Sequence, residues 1–378
     1  MSRAGNIIRI AMICGSLFCS TPGVCAQGGW GRGSSEAATS SRAEKSEAIT
    51  KWLAKQAFPL RSVEAGQSLE DLKPLKKILR DVRLVGLGEG THGTREFFQF
   101  KHRMVEFLVK EMNFTVLAME VSYPAALDLN EYVLHGKGDG QKALAIQGLW
   151  AYDTNEITAL IEWLRRYNET VPEERKVKFV GFDMHNNEQA MDNVLSYLKR
   201  VAPERVGEVS GVFQVFRATS LGKQHFEYIS NVGDGEKSRV QVALNELLGF
   251  LYLNENRFSR LTSPTEFEQT MRHARILAQF ADIYRRPPFD EKNPANSSGY
   301  TRDFYMAENI ERIVAAEKPD ARVIAWAHNE HIGVGMYERN MGEYLRQTYG
   351  AGYYALGTSF NEGSFQARLI SPTVTIGA

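Results

Sequence analysis

Apolar positions along the chain follow two alternating rhythms. Short, nearly continuous apolar runs occur at 82–87 (VRLVGL), 114–119 (FTVLAM), 176–182 (KVKFVGF), 322–327 (RVIAWA) and 353–358 (YYALGT). Runs of this length without polar alternation suit strands buried on both faces of a parallel sheet. Between them the period lengthens to that of helices, notably at 95–111 and 157–167, with further helical patterns at 47–57 and 69–79. Such alternation predicts an α/β fold with an open, mostly parallel sheet and helices on both faces. From about 190 the strand runs stop, and "VQVALNELLGFLYLNENRF" and "EFEQTMRHARILAQFADIYRR" are long helical patterns. These predict a helical insertion subdomain over 191–319, dividing an α/β core into 46–190 and 320–378.

The first 26 residues have a different character. Arg3 and Arg9 accompany the apolar stretch "IIRIAMICGSLFCS", and "VCAQ" places small residues ahead of a cut after Ala26. This is the pattern of a secretory signal peptide, with an exported, periplasmic or secreted product expected. Residues 27–45, rich in Gly, Ser and Ala, read as a disordered linker. Cys14, Cys19 and Cys25 are the only cysteines, so the processed chain has no thiol nucleophile, Cys–zinc site or disulfide. Lys plus Arg and Asp plus Glu both number 45 in the 378 residues. A balanced charge excludes long-range attraction to nucleic acid, and no membrane partner is expected after signal cleavage.

Ligands of open α/β sheets bind beyond the carboxyl ends of the strands. Glu89 and His92 follow the first predicted strand, Glu120 the second, Asp183 and His185 the third, and His328, Glu330 and His331 the fourth. A lone loop histidine is usually solvated, but here four strands each bring an acid or imidazole to one rim. The rim is therefore the candidate active site. On the helix predicted after the first strand, Phe97, Phe100, Met104, Phe107 and Leu108 form one apolar face, and Lys101 falls inside it. A lysine there must snorkel or find an anion, with Glu89 and Glu120 in reach. Arg103 lies nearer the polar edge and is the alternative cation, while His102 and Glu106 are expected to be solvated.

Known phosphate and hydrolase motifs fail. "GLGEGTHG" has Thr91 where a dinucleotide fingerprint needs its last glycine, and no Gly-Lys-Ser/Thr follows. No G-x-S-x-G elbow and no H-E-x-x-H occur, although His328 and His331 are spaced to share a metal on a helical turn.

The stretches "GEGTHGTREFF", "LAMEVSYP", "LIEWLRRYN", "FVGFDMHN", "TRDFYMAENI", "VIAWAHNEHI" and "MGEYLRQTYG" together resemble the erythromycin esterase family, in order from about residue 84 to 365. The resemblance implies hydrolysis of an ester, in characterised members the lactone of a macrolide antibiotic, by water activated at a histidine. It implies His92 as general base, Glu89 and Glu120 as the acidic residues, Lys101 as the basic residue of the first helix, and His328 and His331 completing the rim. Lys101 or Arg103, with a protonated His328 or His331, would stabilise the oxyanion, and Asp183 and His185 join Lys101 and Arg103 as substrate-binding candidates. Arg302, Asp303 and Asn309 match less specifically and could simply cap and pack a helix. The expected partner is a small-molecule ester or lactone, with no cofactor required. Two other readings use the same rim: a hydrolase or peptidase holding zinc or manganese on Glu89, His92, Glu120, His185, His328 and His331, and a secreted binding protein without turnover.

Overall fold

The five apolar runs become the five strands of one sheet in the computed structural model. It describes residues 47–367, apart from 53, 186, 218–230, 289, 336–338 and 360–361. The expected signal peptide and the linker at 27–45 lie outside the described residues. The strands are β1 (Leu84–Glu89), β2 (Phe114–Ser122), β3 (Lys178–Asp183), β4 (Arg322–His328) and β5 (Tyr353–Leu356). They lie in the order β3-β2-β4-β1-β5, and every pairing is parallel. The fold is thus α/β with an open, all-parallel sheet, as the pattern predicts.

Why the runs are continuous rather than alternating is visible in the two cores. Val85, Leu87, Leu117, Met119, Ile324 and Trp326 belong to one apolar cluster. Their strand neighbours Leu84, Val116, Ala118, Val323, Ala325 and Ala327 belong to the other. Successive side chains of a strand point to opposite faces, so a sheet covered on both sides needs apolar residues at every position. Helices α1 (Arg95–Met112) and α3 (Asn155–Thr170) cover the first face, with α2 (Tyr123–His135) packed along β3. The second is covered from the helical stretch between β3 and β4. There α4 (Glu188–Val201), α5 (Asp234–Leu253), α6 (Pro264–Tyr284) and α7 (Ser298–Ala316) contribute Met191, Val194, Leu244, Leu277, Phe280, Met306 and Ile310 to the same cluster as the strands. Two short helices, α8 (Asn329–Ile332) and α9 (Met341–Tyr349), complete the second half. Among the described residues, no helix is long and apolar enough to cross a membrane.

Three local expectations change. The pattern at 69–79 is split into a 3-10 turn at Glu70–Leu72 and a helical turn at Leu75–Ile78, because Pro74 has no N–H to carry a helix through. Second, β1 and β2 continue past their apolar runs, so Glu89 and Glu120 are strand residues rather than loop residues. Third, α1 is buried on both sides. His102 is only 6% and Glu106 only 2% exposed, where solvation was expected. The ring of Trp163 on α3 lies edge-on to His102 at 5.9 Å, and Glu106 accepts the Gly66 backbone N–H at 3.1 Å. The segment before β1 and helix α3 cover what a wheel drawn on α1 alone leaves to water.

The glycines of β1 make room for α8. A Cβ on Gly88 would lie 2.3 Å from Asn329 Oδ1 and 2.9 Å from the Ile332 side chain. One on Gly86 would lie 2.7 Å from the Tyr353 hydroxyl and 3.1 Å from Ile332 Cβ. The bare strand therefore allows the His328–Ile332 turn to lie directly over it.

Candidate active site

A parallel sheet brings all carboxyl ends to one edge, and the strand register decides which residues meet there. Glu89 stands opposite His328 in the β1–β4 ladder, and Ser122 opposite Asp183 in β2–β3, after a register shift beyond Met119. The shift falls where Glu120 sits. Glu89, Glu120, Asp183 and His328 thus converge at the end of four adjacent strands, and the turn into α8 adds His331.

Two connected clusters result. In the first, Glu89 is fully buried and uses both carboxylate oxygens. Oε2 pairs with the ammonium of Lys101, whose side chain is also fully buried. Oε1 lies 3.0 Å from His92 Nδ1 and accepts the Tyr152 hydroxyl at 3.4 Å. Lys101 also donates to the Ala327 carbonyl at 3.2 Å and lies 4.0 Å over the Trp326 ring. Burial pushes the Lys101 ammonium down to about 8, with Glu89 opposing that shift. Its apolar-stripe position is therefore explained by an anion rather than by snorkelling. Lys101 does not line the cleft described below.

The second cluster is built around a residue the sequence ranked low. Arg302, on α7, donates from Nη2 to Glu120 Oε1 at 2.8 Å and to Asp183 Oδ2 at 2.6 Å, and from Nε to Asp183 Oδ1 at 3.2 Å. Burial alone would raise the Asp183 carboxyl, but the Arg302 guanidinium holds it below its usual range. Glu120 is held well below its range against the same burial, by His331 and Arg302. His331 Nδ1 meets Asp303 Oδ1 at 2.7 Å, and its Nε2 lies 3.4 Å from Glu120 Oε1 and 3.1 Å from Arg302 Nη1. Donation to Glu120 requires the imidazolium and acceptance from Arg302 requires the neutral ring. Against burial, the flanking acids Glu120 and Asp303 decide for the imidazolium, raising His331 to about 10. His185 Nε2 lies 3.3 Å from Asp183, and its Nδ1 lies 3.2 Å from the Tyr284 hydroxyl.

His328 joins the two clusters. Its backbone N–H donates to Glu120 Oε2 at 3.0 Å, and its ring centre lies 5.0 Å from that of His92. Nδ1 accepts the Glu330 backbone N–H at 3.3 Å, which leaves the proton on Nε2, 3.2 Å from the Gly90 carbonyl. Burial and the neighbouring His92 lower its basicity. His328 is therefore a neutral ring with both nitrogens engaged, in contrast to the charged ring of His331.

His92 faces solvent. Its side chain is 34% exposed where Glu89 has no exposure, and it stands in the wall of a cleft of about 1050 Å³. Gly93, Thr94 and Arg95 at the start of α1, Trp150 and Asp153 before α3, and Phe365 and Gln366 near the end line that cleft too. The cleft is thus walled by segments outside 191–319. That stretch instead sends Tyr284, Arg302 and Asp303 into the cluster, and Ser297, Gly299 and Tyr300 line a smaller cavity of about 330 Å³ beside His331.

Of the residues singled out in the sequence, Glu89, His92, Lys101, Glu120, Asp183, His185, His328 and His331 come together. Arg103 does not. It is fully buried and donates to Asp71 Oδ2 at 3.2 Å and to the Ser62 carbonyl at 2.6 Å, tying the segment before β1 to α1. Arg302 and Asp303 match only weakly in the sequence, and Tyr152 and Tyr284 are not among the predicted site residues. Arg302 and Asp303 lie in a helical pattern 119 and 28 residues from their partners Asp183 and His331, a separation that periodicity cannot bridge. Among the described residues, no group of three or more His, Cys, Asp or Glu is arranged to hold a metal ion.

The structure is an all-parallel α/β protein with a buried acid–imidazole rim at the carboxyl ends of its strands, and the sequence comparisons name the class. Residues 109–374 match the family model for erythromycin esterase. The chain belongs to the erythromycin esterase family. It is similar to the type II erythromycin esterase of Escherichia coli, with 24% identity over 332 residues, 82% of this chain and 77% of that one. A Bacillus subtilis (strain 168) relative with a provisional hydrolase name, YbfO, is 26% identical over 329 residues, 80% of this chain and 71% of its own. A crystal structure of a Bacillus cereus protein aligns with a TM-score of 0.69 and 30% identity, covering 82% of this chain and 74% of that one.

Proposed function

We propose that this family hydrolase cleaves a carboxylic ester or lactone with a water molecule activated by His92. The observation that carries the reading is the Glu89–His92 contact of 3.0 Å at the wall of the large cleft. Glu89, an acceptor paired with Lys101, accepts a hydrogen bond from His92 Nδ1–H and so leaves the lone pair on Nε2. An imidazole held in that tautomer is a suitable base for water and contributes about 10²–10⁴ in rate.

His92 Nε2 takes a proton from water as the oxygen attacks the acyl carbon, giving a tetrahedral oxyanion. Thr94 and Arg95 at the start of α1 line the same cleft, and a helix start, whose first N–H groups lack intrahelical acceptors, favours negative charge. Collapse breaks the bond to the alkoxide, which takes the proton back from His92 and leaves as the alcohol. The resting enzyme and a carboxylic acid remain. Size supports a bulky substrate, since about 1050 Å³ sits at the upper end of drug-sized pockets.

The test is incubation of the purified protein with a panel of macrolides and simple esters, read by mass spectrometry. A macrolide product heavier by one water, or the acid and alcohol of a cleaved simple ester, supports the reading. Thermal stabilisation by a ligand that stays intact would favour the binding-protein alternative. Stoichiometric metal after chelator-free purification, with activity lost in EDTA, would favour the metal-dependent one.

A further inference from the structure

Asp303 lies beside Arg302 on α7 and, with His331, lines the smaller cavity. Its Oδ1 accepts two bonds, from His331 Nδ1 at 2.7 Å and from the Met341 backbone N–H at the start of α9 at 3.0 Å. The first fixes which His331 nitrogen faces the helix. The second fixes the carboxylate itself, because a backbone donor at a helix start moves only with the helix. His331 is thereby turned so that Nε2 points at the Glu120–Arg302 side, 3.4 Å from Glu120 Oε1. We infer that Asp303 is a positioning residue for His331: it holds the Nδ1 proton, orients the ring and keeps it a cation, so that Nε2–H serves the rim as a fixed proton donor.

The charged groups around His331 come from every neighbouring element. Glu120 reaches it from β2, Asp183 and His185 from the end of β3, Arg302 and Asp303 from α7, and His328 and Glu330 from its own turn. Arg302 and His185 oppose a cationic ring. Glu120 is already shared with Arg302 and with the His328 backbone N–H, so it is a divided counter-charge. Among the described residues, Asp303 forms an ion pair with no cation other than His331, and its single engaged oxygen spans the ring and α9. The inference rests on the hydrolase reading only for what the donor acts upon.

Asp303→Asn separates charge from shape, since the amide oxygen can still accept the Met341 N–H. Nitrogen-15 NMR of the His331 ring at neutral pH, assigned by loss of signals in His331→Asn, needs no substrate. Both ring nitrogens are expected to carry protons in the wild-type protein. One nitrogen is expected to lose its proton in Asp303→Asn, and Asp303→Glu is expected to restore the wild-type signals. In hydrolysis, Asp303→Asn should lower kcat about tenfold or more, with KM little changed. Unchanged His331 signals in Asp303→Asn overturn the inference, as does a folded Asp303→Glu protein whose ring is neutral. If no ester is cleaved while the signals behave as expected, the proposed reaction fails and the positioning role stands.

Discussion

Glu89 and Lys101 form an ion pair in which neither side chain has any solvent exposure. The pair explains two oddities of the sequence together: a lysine on an apolar helix stripe and a carboxylate at the end of a buried strand. Removing one partner of a buried pair leaves an uncompensated charge and typically costs about 3–5 kcal/mol. Lys101→Met is therefore expected to lower stability by that order, measured by urea unfolding. A variant as stable as the wild type would show that the pair does not hold the site.

The same pair sets an alkaline limit on activity. Burial lowers Lys101 to about 8, so above that pH Glu89 loses its cation while Lys101 becomes neutral. The rate of ester hydrolysis is expected to fall above pH 8. A lysine whose folded value lies below its ordinary 10.5 does not lose folding stability in that window, because the unfolded chain binds the proton more tightly there. The rate, and not Lys101's share of stability, should mark the transition. Lys101→Arg, if active, should shift the limb upward in a pH–rate profile.

Acid acts through two other histidines. Burial lowers His102 and His273 to about 4, and Asn193 lies 3.1 Å from His273 Nε2. The unfolded chain takes up these protons near 6.5, whereas the folded one resists until about 4. Stability is therefore expected to fall as pH drops from 6.5 to 4, by up to about 3 kcal/mol for each ring. Urea midpoints at pH 7 and pH 4.5 should show the loss, and His102→Asn should show less of it.

Gly93 controls the mouth of the cleft. A Cβ there would lie 1.7 Å from the Gln366 carbonyl oxygen, and Gln366 donates its N–H to the Gly93 carbonyl at 3.0 Å. Gly93→Ala must therefore displace the segment carrying Ser364, Phe365 and Gln366 from the cleft wall. Steady-state kinetics should show a raised KM with kcat little changed. Equal loss of kcat would place the effect on His92 rather than on the wall.

Sheet and rim were legible because their signals are local. Five apolar runs give five strands, and parallel order brings their carboxyl ends to one edge. The strand pattern alone therefore places Glu89, Glu120, Asp183 and His328 together. What the sequence hid depends on the second face of the sheet. Arg302 and Asp303 sit in a helical pattern where cap and core roles are usual, and only the packing of α7 against β3 shows them turned to the rim. Arg103 was misjudged for the complementary reason. The segment that buries it, around Ser62 to Asp71, carries no pattern that announces where it will lie. Likewise the β1 glycines look like a nucleotide turn, but Gly88 serves the close approach of Asn329 and Ile332.

The central claim is that His92 activates water, and the direct measurement is ester hydrolysis by His92→Ala beside the wild-type protein on whichever panel substrate is cleaved. Circular dichroism and the melting temperature control for the fold. The account predicts a folded variant whose kcat is lower by about 10²–10⁴. A folded His92→Ala protein with near-normal kcat would contradict it.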